Sequence, residues 1–351
     1  MRIAVVIPER CKPKSNAFEY LERWSKTCSM DCIVVEGKNI KISEFACPPC
    51  IIRAKLCPDD AVMIINLPSE LDTDMIHRFS LNGFRLFRLP TPSQERVVGI
   101  LGPNGMGKST AMSVLSGRLV PNLGDWENKE PEWGEVIETL PRGELRDFLT
   151  AVEKKTVKVA LKPQNVDRIP KRVEGTVSSL LEKVDERGLY DELVVTLGID
   201  HLLDRTLNQL SGGELQRVAI CATLLRDVDV YFFDEPSSYL DIFERMRIVK
   251  IIQELAEEKR VIVIEHDLAV LDVLADLTHI VYGVKGAYGI FTPARNTRKA
   301  INAYLDGYLP EENVRIRNKP IKFLRHRDRT AERGTPVVSW GDLEKKLGEF
   351  T

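Results

Sequence analysis

The sequence predicts an α/β fold in which a mainly parallel sheet with crossover helices follows a small cysteine-rich module. Three observations carry this. The run VVGIL (97–101), and the runs VYFFD (230–234) and VIVIE (261–265) up to their closing acids, are continuously apolar, so they read as strands buried on both faces. A glycine loop, GPNGMGKST (102–110), stands between the first run and a helical stretch. Six of the seven cysteines fall between Cys11 and Cys57. At 351 residues with 43% hydrophobic content the chain has ample material for a packed core and two domains. A net charge of -2 shows no overall basic excess, so any basic surface must be local. No run of about eighteen apolar residues occurs, and MRIAVVIPER lacks the order of a secretory signal. A cytoplasmic protein without a membrane partner is therefore expected, and in a reducing compartment clustered cysteines point to metal.

Taken in order, residues 1–70 form the cysteine module, with strand-like pieces IAVVI and AVMIINL around loops. Residues 71–305 alternate apolar runs with helical stretches, as a nucleotide-binding core does. Within them, residues 131–155 read as two helices broken by Leu140-Pro141-Arg142-Gly143. Residues 306–351 turn basic and irregular, with Arg315, Arg317, Lys319, Lys322, Arg325, Arg327, Arg329 and Arg333 and few acids between. That tail reads equally as a phosphate-contacting patch and as a solvated linker or hinge.

The loop has the spacing and the context of a phosphate loop. Gly102, Asn104, Gly105 and Gly107 let the backbone curl until successive N–H groups point at the β- and γ-phosphates of a nucleotide. Lys108 would bridge those phosphates, Ser109 would give its hydroxyl to Mg²⁺, and Thr110 would contact phosphate. The run VYFFDE delivers Asp234 and Glu235 to the same end of the sheet. Asp234 would hold Mg²⁺ through water, and Glu235 would polarise the attacking water, because phosphoryl transfer needs an oriented nucleophile and neutralised charge.

The segment LSGGELQR (210–217) has no use for its own phosphate loop, and it resembles the signature motif of the ABC ATPase family. The resemblance implies an ABC-type P-loop nucleotide-binding domain in which Ser211, Gly212 and Gly213 cap an ATP held by an opposite domain. It also implies that Gln164 in LKPQNVD is the Q-loop residue, touching Mg²⁺ and the reaction centre, that Asp241 in SSYLD belongs to the D-loop, and that His266 in IEHD senses the γ-phosphate. Phe79 in HRFSLNGF matches the adenine platform best, with Phe84 second.

The flanks narrow the resemblance. MRIAVV, IINLPSEL, FRLFRLPTP, KPQNVDRIPKRVEGTV, FDEPSSYLD and IEHDLAVLDVLAD are similar to segments of the ribosome-recycling ABC ATPases, the RNase L inhibitor family, across essentially the whole chain. This implies an N-terminal α+β ferredoxin-like domain with iron–sulfur clusters, a helix-loop-helix insert that touches the ribosome, and a hinge followed by a second nucleotide domain, so that the chain looks like an N-terminal half. The implied activity is ATP hydrolysis, weak in an isolated half, driving the splitting of ribosomal subunits with a link to translation initiation. The implied partners are a second nucleotide domain, the small ribosomal subunit with contacts to its RNA, and release or recycling factors.

The cysteines depart from the family pattern. CPPCIIRAKLCP keeps Cys47, Cys50 and Cys57 but has Arg53 at the third ligand position, and SNAFEYLERWSKT replaces one ligand between Cys11 and the pair Cys28 and Cys32. By the family's ligand exchange, one set would be Cys11, Cys28 and Cys57 and the other Cys47, Cys50 and Cys32, three thiolates each. Incomplete iron–sulfur clusters, zinc and a metal-free relic all stay open; Cys221 reads as a small buried hydrophobe. Two other classes compete: the ATP-binding subunit of a transporter, and an electron carrier built on the cysteine module.

Overall fold

The three apolar runs lie side by side at the centre of one nine-stranded sheet. The structure, a computed structural model, describes residues 2–7, 9–28, 32–37, 39–43, 56–66, 74–128 and 131–322. Cys47, Cys50, Arg53 and the basic residues from Arg325 to Arg333 lie outside the described residues.

The N-terminal module consists of β1 (Arg2–Val6), α1 (Asn16–Thr27), the hairpin strands β2 (Ile33–Glu36) and β3 (Asn39–Ile42), and β4 (Val62–Asn66), which pairs antiparallel with β1. The SNAFEYLERWSKT stretch is α1. Ser15 caps it by accepting from Phe18 N, and its helical spacing buries Ala17, Phe18, Leu21 and Trp24 in a core with Ile33, Ile42 and Val62. Where the sequence reading has the family's ligand lost, the chain has built an apolar helix face.

The following unit contains β5 (Met75–Arg78), β6 (Arg85–Phe87), β7 (Val97–Leu101), α2 (Lys108–Leu115), α3 (Trp133–Thr139), α4 (Glu144–Glu153) and β8 (Val159–Lys162). It continues through α5 (Val177–Val184), α6 (Tyr190–Thr196), α7 (Gly212–Leu224), β9 (Val230–Asp234), α8 (Ile242–Ala256), β10 (Arg260–Ile264) and α9 (Leu268–Leu274). β11 (Leu277–Val284), β12 (Tyr288–Phe291), β13 (Arg295–Asn296) and α10 (Thr297–Asp306) close it. The sheet runs β5-β6-β12-β11-β7-β10-β9-β8, with β13 against β11; its five strands from β11 to β8 are parallel. Strand alternation divides the core. Tyr231, Phe233, Val261 and Val263 face one apolar cluster, while Val230, Phe232, Ile262 and Ile264 face the other.

The insert helices α3 and α4 flank Leu140–Gly143, and they are more than a solvated hairpin. Ile137, Phe148, Leu149 and Val152 belong to the same buried cluster as Val114 and Leu115 of α2. Beyond α10, β14 (Tyr308–Leu309) and β15 (Val314–Arg315) form a short hairpin. Glu312 in its turn accepts from Arg88 at 2.6 Å, and Arg88 also holds Asp74 at 2.7 Å. Arg315 and Arg317, read from sequence as part of a basic patch, lie over the rings of Tyr308 and Tyr304.

Asn82 docks the N-terminal module. Its Oδ1 accepts from Ile42 N at 2.7 Å, and its Nδ2 donates to Ala4 O and Ile42 O at 2.8 and 3.0 Å, all at 4% exposure. Val5 and Ile65 add apolar contact with Phe87, Tyr282 and Ile290. Asn82→Ala leaves three buried backbone groups unsatisfied and is expected to destabilise the chain by roughly 3 kcal/mol. Urea unfolding checks this, and limited proteolysis should release the first seventy or so residues earlier than in the wild type.

Candidate functional site

Parallel pairing in fixed register builds the site. Ile264 of β10 stands opposite Ile100 of β7 on one side and Asp234 of β9 on the other, so the three strands end at one level. The glycine loop leaves β7 there, Glu235 follows β9, and Glu265 and His266 follow β10. A cleft of about 610 Å³ opens over these ends. Asn104, Gly105, Gly107, Lys108, Ser109, Thr110, Gln164, Asp234 and Glu235 line it, with Phe79 and Phe84 at one side.

The loop needs glycine at Gly107, where φ is +86° and a Cβ would meet the Phe84 ring at 2.7 Å. This turn starts α2 at Lys108, so the first N–H groups of the helix face the cleft. Lys108 is buried; its Nζ donates to Gly102 O at 2.7 Å and to Asn104 Oδ1 at 3.2 Å, and it meets His266 Nε2 at 3.0 Å. Burial pulls the Lys108 ammonium down to about 8 against the attraction of Asp234 and Glu235. His266 is lowered by burial and then by Lys108, which keeps its imidazole neutral at pH 7. Glu235 is held from three sides: Gln164 Nε2 donates to its Oε1 at 2.6 Å, Ser238 Oγ to its Oε2 at 3.2 Å, and His266 Nε2 lies 3.5 Å away. Burial, and next the neighbouring Glu235, push Asp234 up to about 6. A carboxylate so raised, beside Ser109 and Gln164 in one cleft, is a donor set of hard oxygens that suits Mg²⁺.

Phe79 is 54% exposed at the rim, edge-on to His77, while Phe84 packs beneath Gly107 and against the core. Gly102 contributes its carbonyl to Lys108 from behind the loop.

Ser211, Gly212, Gly213 and Asp241 do not line the cleft. Ser211 caps α7 in a capping box with Glu214, and Asp241 caps α8 by accepting from Phe243 N and Glu244 N at 2.9 Å each. Gly212 and Gly213 pack on Tyr239, which is 63% exposed. Sequence reasoning missed Lys162, Gln216, Ser238 and Glu265, all of which hold the acidic end of β9 or the turn after it. A lysine closing the strand VALK was the available signal for the first.

Cys28 and Cys32 Sγ atoms are 3.2 Å apart, and the Cys57 thiol is pushed up by burial and by the neighbouring Cys11. Cys11, Cys32 and Cys57 are buried in one apolar cluster with Cys28 packed against it. Among the described residues no three Cys, His, Asp or Glu side chains converge as metal ligands. Cys221 is fully buried.

A family profile described as "ABC transporter" matches residues 91–238. The chain is 45% identical over 357 residues to an uncharacterized ABC transporter ATP-binding protein of Methanocaldococcus jannaschii, covering 100% of this chain and 58% of the relative. It is 40% identical over 370 residues to translation initiation factor RLI1 of Saccharomyces cerevisiae, covering 99% and 59%. A solved structure described as a model of ribosome-bound archaeal Pelota and ABCE1 matches with a TM-score of 0.90 at 44% identity, covering 100% of this chain and 59% of that one. The chain thus spans about three fifths of the length of these relatives.

Because Asp234 must be ionised to hold a cation and titrates near 6, divalent-ion affinity should be level above pH 7 and fall as pH drops through 6. Mn²⁺ titration in the presence of ATP is expected to give about tenfold weaker binding at pH 5 than at pH 7.

Proposed function

Since the chain belongs to the RNase L inhibitor family of ABC ATPases, we propose that it binds Mg-ATP in the cleft and hydrolyses it on closing against a second nucleotide domain, to split ribosomal subunits in the cytoplasm. One observation carries the reading. The cleft collects the phosphate loop, the acids and the Q-loop glutamine, while Ser211, Gly212 and Gly213 stand outside it at the start of a helix beside the exposed Tyr239. A helix N-terminus that presents its N–H groups away from its own phosphate loop suits the phosphate held by another domain. Lys108, Ser109, Thr110 and the loop backbone hold phosphates and Mg²⁺, and Glu235, steadied by Gln164 and within reach of His266, orients the attacking water. Among the described residues no helix is long and apolar enough to cross a membrane.

The ribosome enters through the relative whose solved structure is described as ribosome-bound. The insert is the surface assigned to it: Arg142 stands exposed at the tip, and Lys154 and Lys155 stand exposed at the far end of α4. Because the insert helices are rooted in the core, deleting them would strip Phe148 and Leu149 from the layer they share with Val114 and Leu115, so surface charge reversal is the cleaner test. Glu235→Gln should retain ATP and lose turnover, and in that state, with the second nucleotide domain present, Arg142→Glu with Lys154→Glu and Lys155→Glu should weaken co-sedimentation with small ribosomal subunits about tenfold. Unchanged co-sedimentation would remove the insert from the ribosome contact; unchanged hydrolysis in Glu235→Gln would remove Glu235 as the base.

We assign iron–sulfur occupancy to the cysteine module, with release and recycling factors as further partners of the assembly. Cys11, Cys28, Cys32 and Cys57 share one buried cluster, which supports the reading, and the second expected set also calls on Cys47 and Cys50. Anaerobically purified protein should contain iron and sulfide at fewer than about eight irons per chain. Protein with neither iron nor zinc would show the module to be held by its apolar core alone.

A further inference from the structure

Glu235 sits at φ 49, in the left-handed region that non-glycine residues enter only when their surroundings hold them there. Pro236 follows and donates no N–H, and the turn's own backbone bond, Ser238 N to Glu235 O, is long at 3.4 Å. Glu235 N donates to Ile264 O at 2.9 Å, which fixes the residue to β10. Its carbonyl is fixed by two side chains. Lys162 Nζ reaches it at 3.3 Å and Asp234 O at 2.9 Å, while Gln216 Nε2 reaches it at 2.8 Å and Pro236 O at 2.9 Å. Both donors are at 0% exposure. These bonds of Lys162 end on carbonyl oxygens, so the lysine grips the backbone of the acids, and it does not line the cleft.

We propose that Lys162 and Gln216 are positioning residues for hydrolysis: together they pin the strained Glu235 backbone so that its carboxylate meets Gln164, Ser238 and the attacking water. The inference rests on Glu235 as the base. It also gives the Glu235 carbonyl a second meaning. Lys162 stands two residues before the Q-loop glutamine, and Gln216 lies one turn into the helix that the signature glycines begin, so both elements are tied to one atom of the acidic turn. Among the described residues Gln216 Oε1 has no partner, and the bonds that hold this side chain are those its Nε2 donates to the turn.

The test compares Lys162→Met, Gln216→Leu and their combination, each alone and on a Glu235→Gln background, by single-turnover ATP hydrolysis and by ATP affinity. A small displacement of a reacting group costs up to about 100-fold, so each single variant is expected to lower the rate by about 10- to 100-fold while ATP affinity stays within about threefold. The double variant should lose less than the product of the single losses, since both act through one carbonyl. On the Glu235→Gln background neither substitution should lower the residual rate further. Wild-type rates in Lys162→Met and Gln216→Leu beside an inactive Glu235→Gln overturn this inference alone; a fully active Glu235→Gln overturns the assignment of the base and this inference with it. Hydrogen exchange decides the case of turnover too slow to measure: faster exchange confined to the Glu235 and Ser237 amides supports the pinning, and faster exchange throughout the sheet overturns it.

Discussion

The shared register of β7, β10 and β9 is the constraint from which the rest of the site follows. Each of these strands is buried on both faces, so a slip of one residue would drive Phe232 or Ile262 into the wrong apolar layer and expel its neighbour. Packing therefore fixes where each strand ends, and the ends carry the chemistry. The phosphate loop lies more than a hundred residues before the pair of acids and the histidine that follows them, yet all arrive at one height because their strands are locked together by side chains that line no part of the cleft.

That common end collects charge in a place with little water. Lys108 and Lys162 are both drawn down to about 8 by burial, and Asp234 is driven up to about 6, so desolvation works to neutralise all three. Their mutual attraction opposes it. Glu265 is raised by burial too, although it accepts from Ser237 N at 3.0 Å and from His266 N at 3.1 Å. Removal of one member would leave its opposite buried and uncompensated, which is why such a cluster is better described as a unit than as separate pairs.

Much of this was legible in the linear sequence, for reasons that are local. Continuous apolar runs, a glycine loop with a following helix, and a proline-glycine break between two helices all express short-range rules, and the structure has a strand or helix at each. What escaped depends on distant partners. SNAFEYLERWSKT reads as a disturbed ligand stretch when it is compared with cysteine spacing, whereas the Ser15 cap and apolar residues at 17, 18, 21 and 24 are the pattern of the helix that is there. Arg315 and Arg317 read as free charge because nothing nearby in sequence announces that Tyr308 and Tyr304 lie beneath them. Lys162 looks like an ordinary strand end. Its role depends on two carbonyls more than seventy residues away, which no local pattern encodes.

The rooting of the insert has a mechanical consequence. Val152 near the end of α4 abuts Gly117, two residues after the helix that begins at Lys108, and Phe148 and Leu149 share its apolar layer. Close-packed interiors transmit displacement because they are hard to compress. A load carried at Arg142 would therefore reach, through Val152 and the shared apolar layer, the same helix whose first turn faces the cleft.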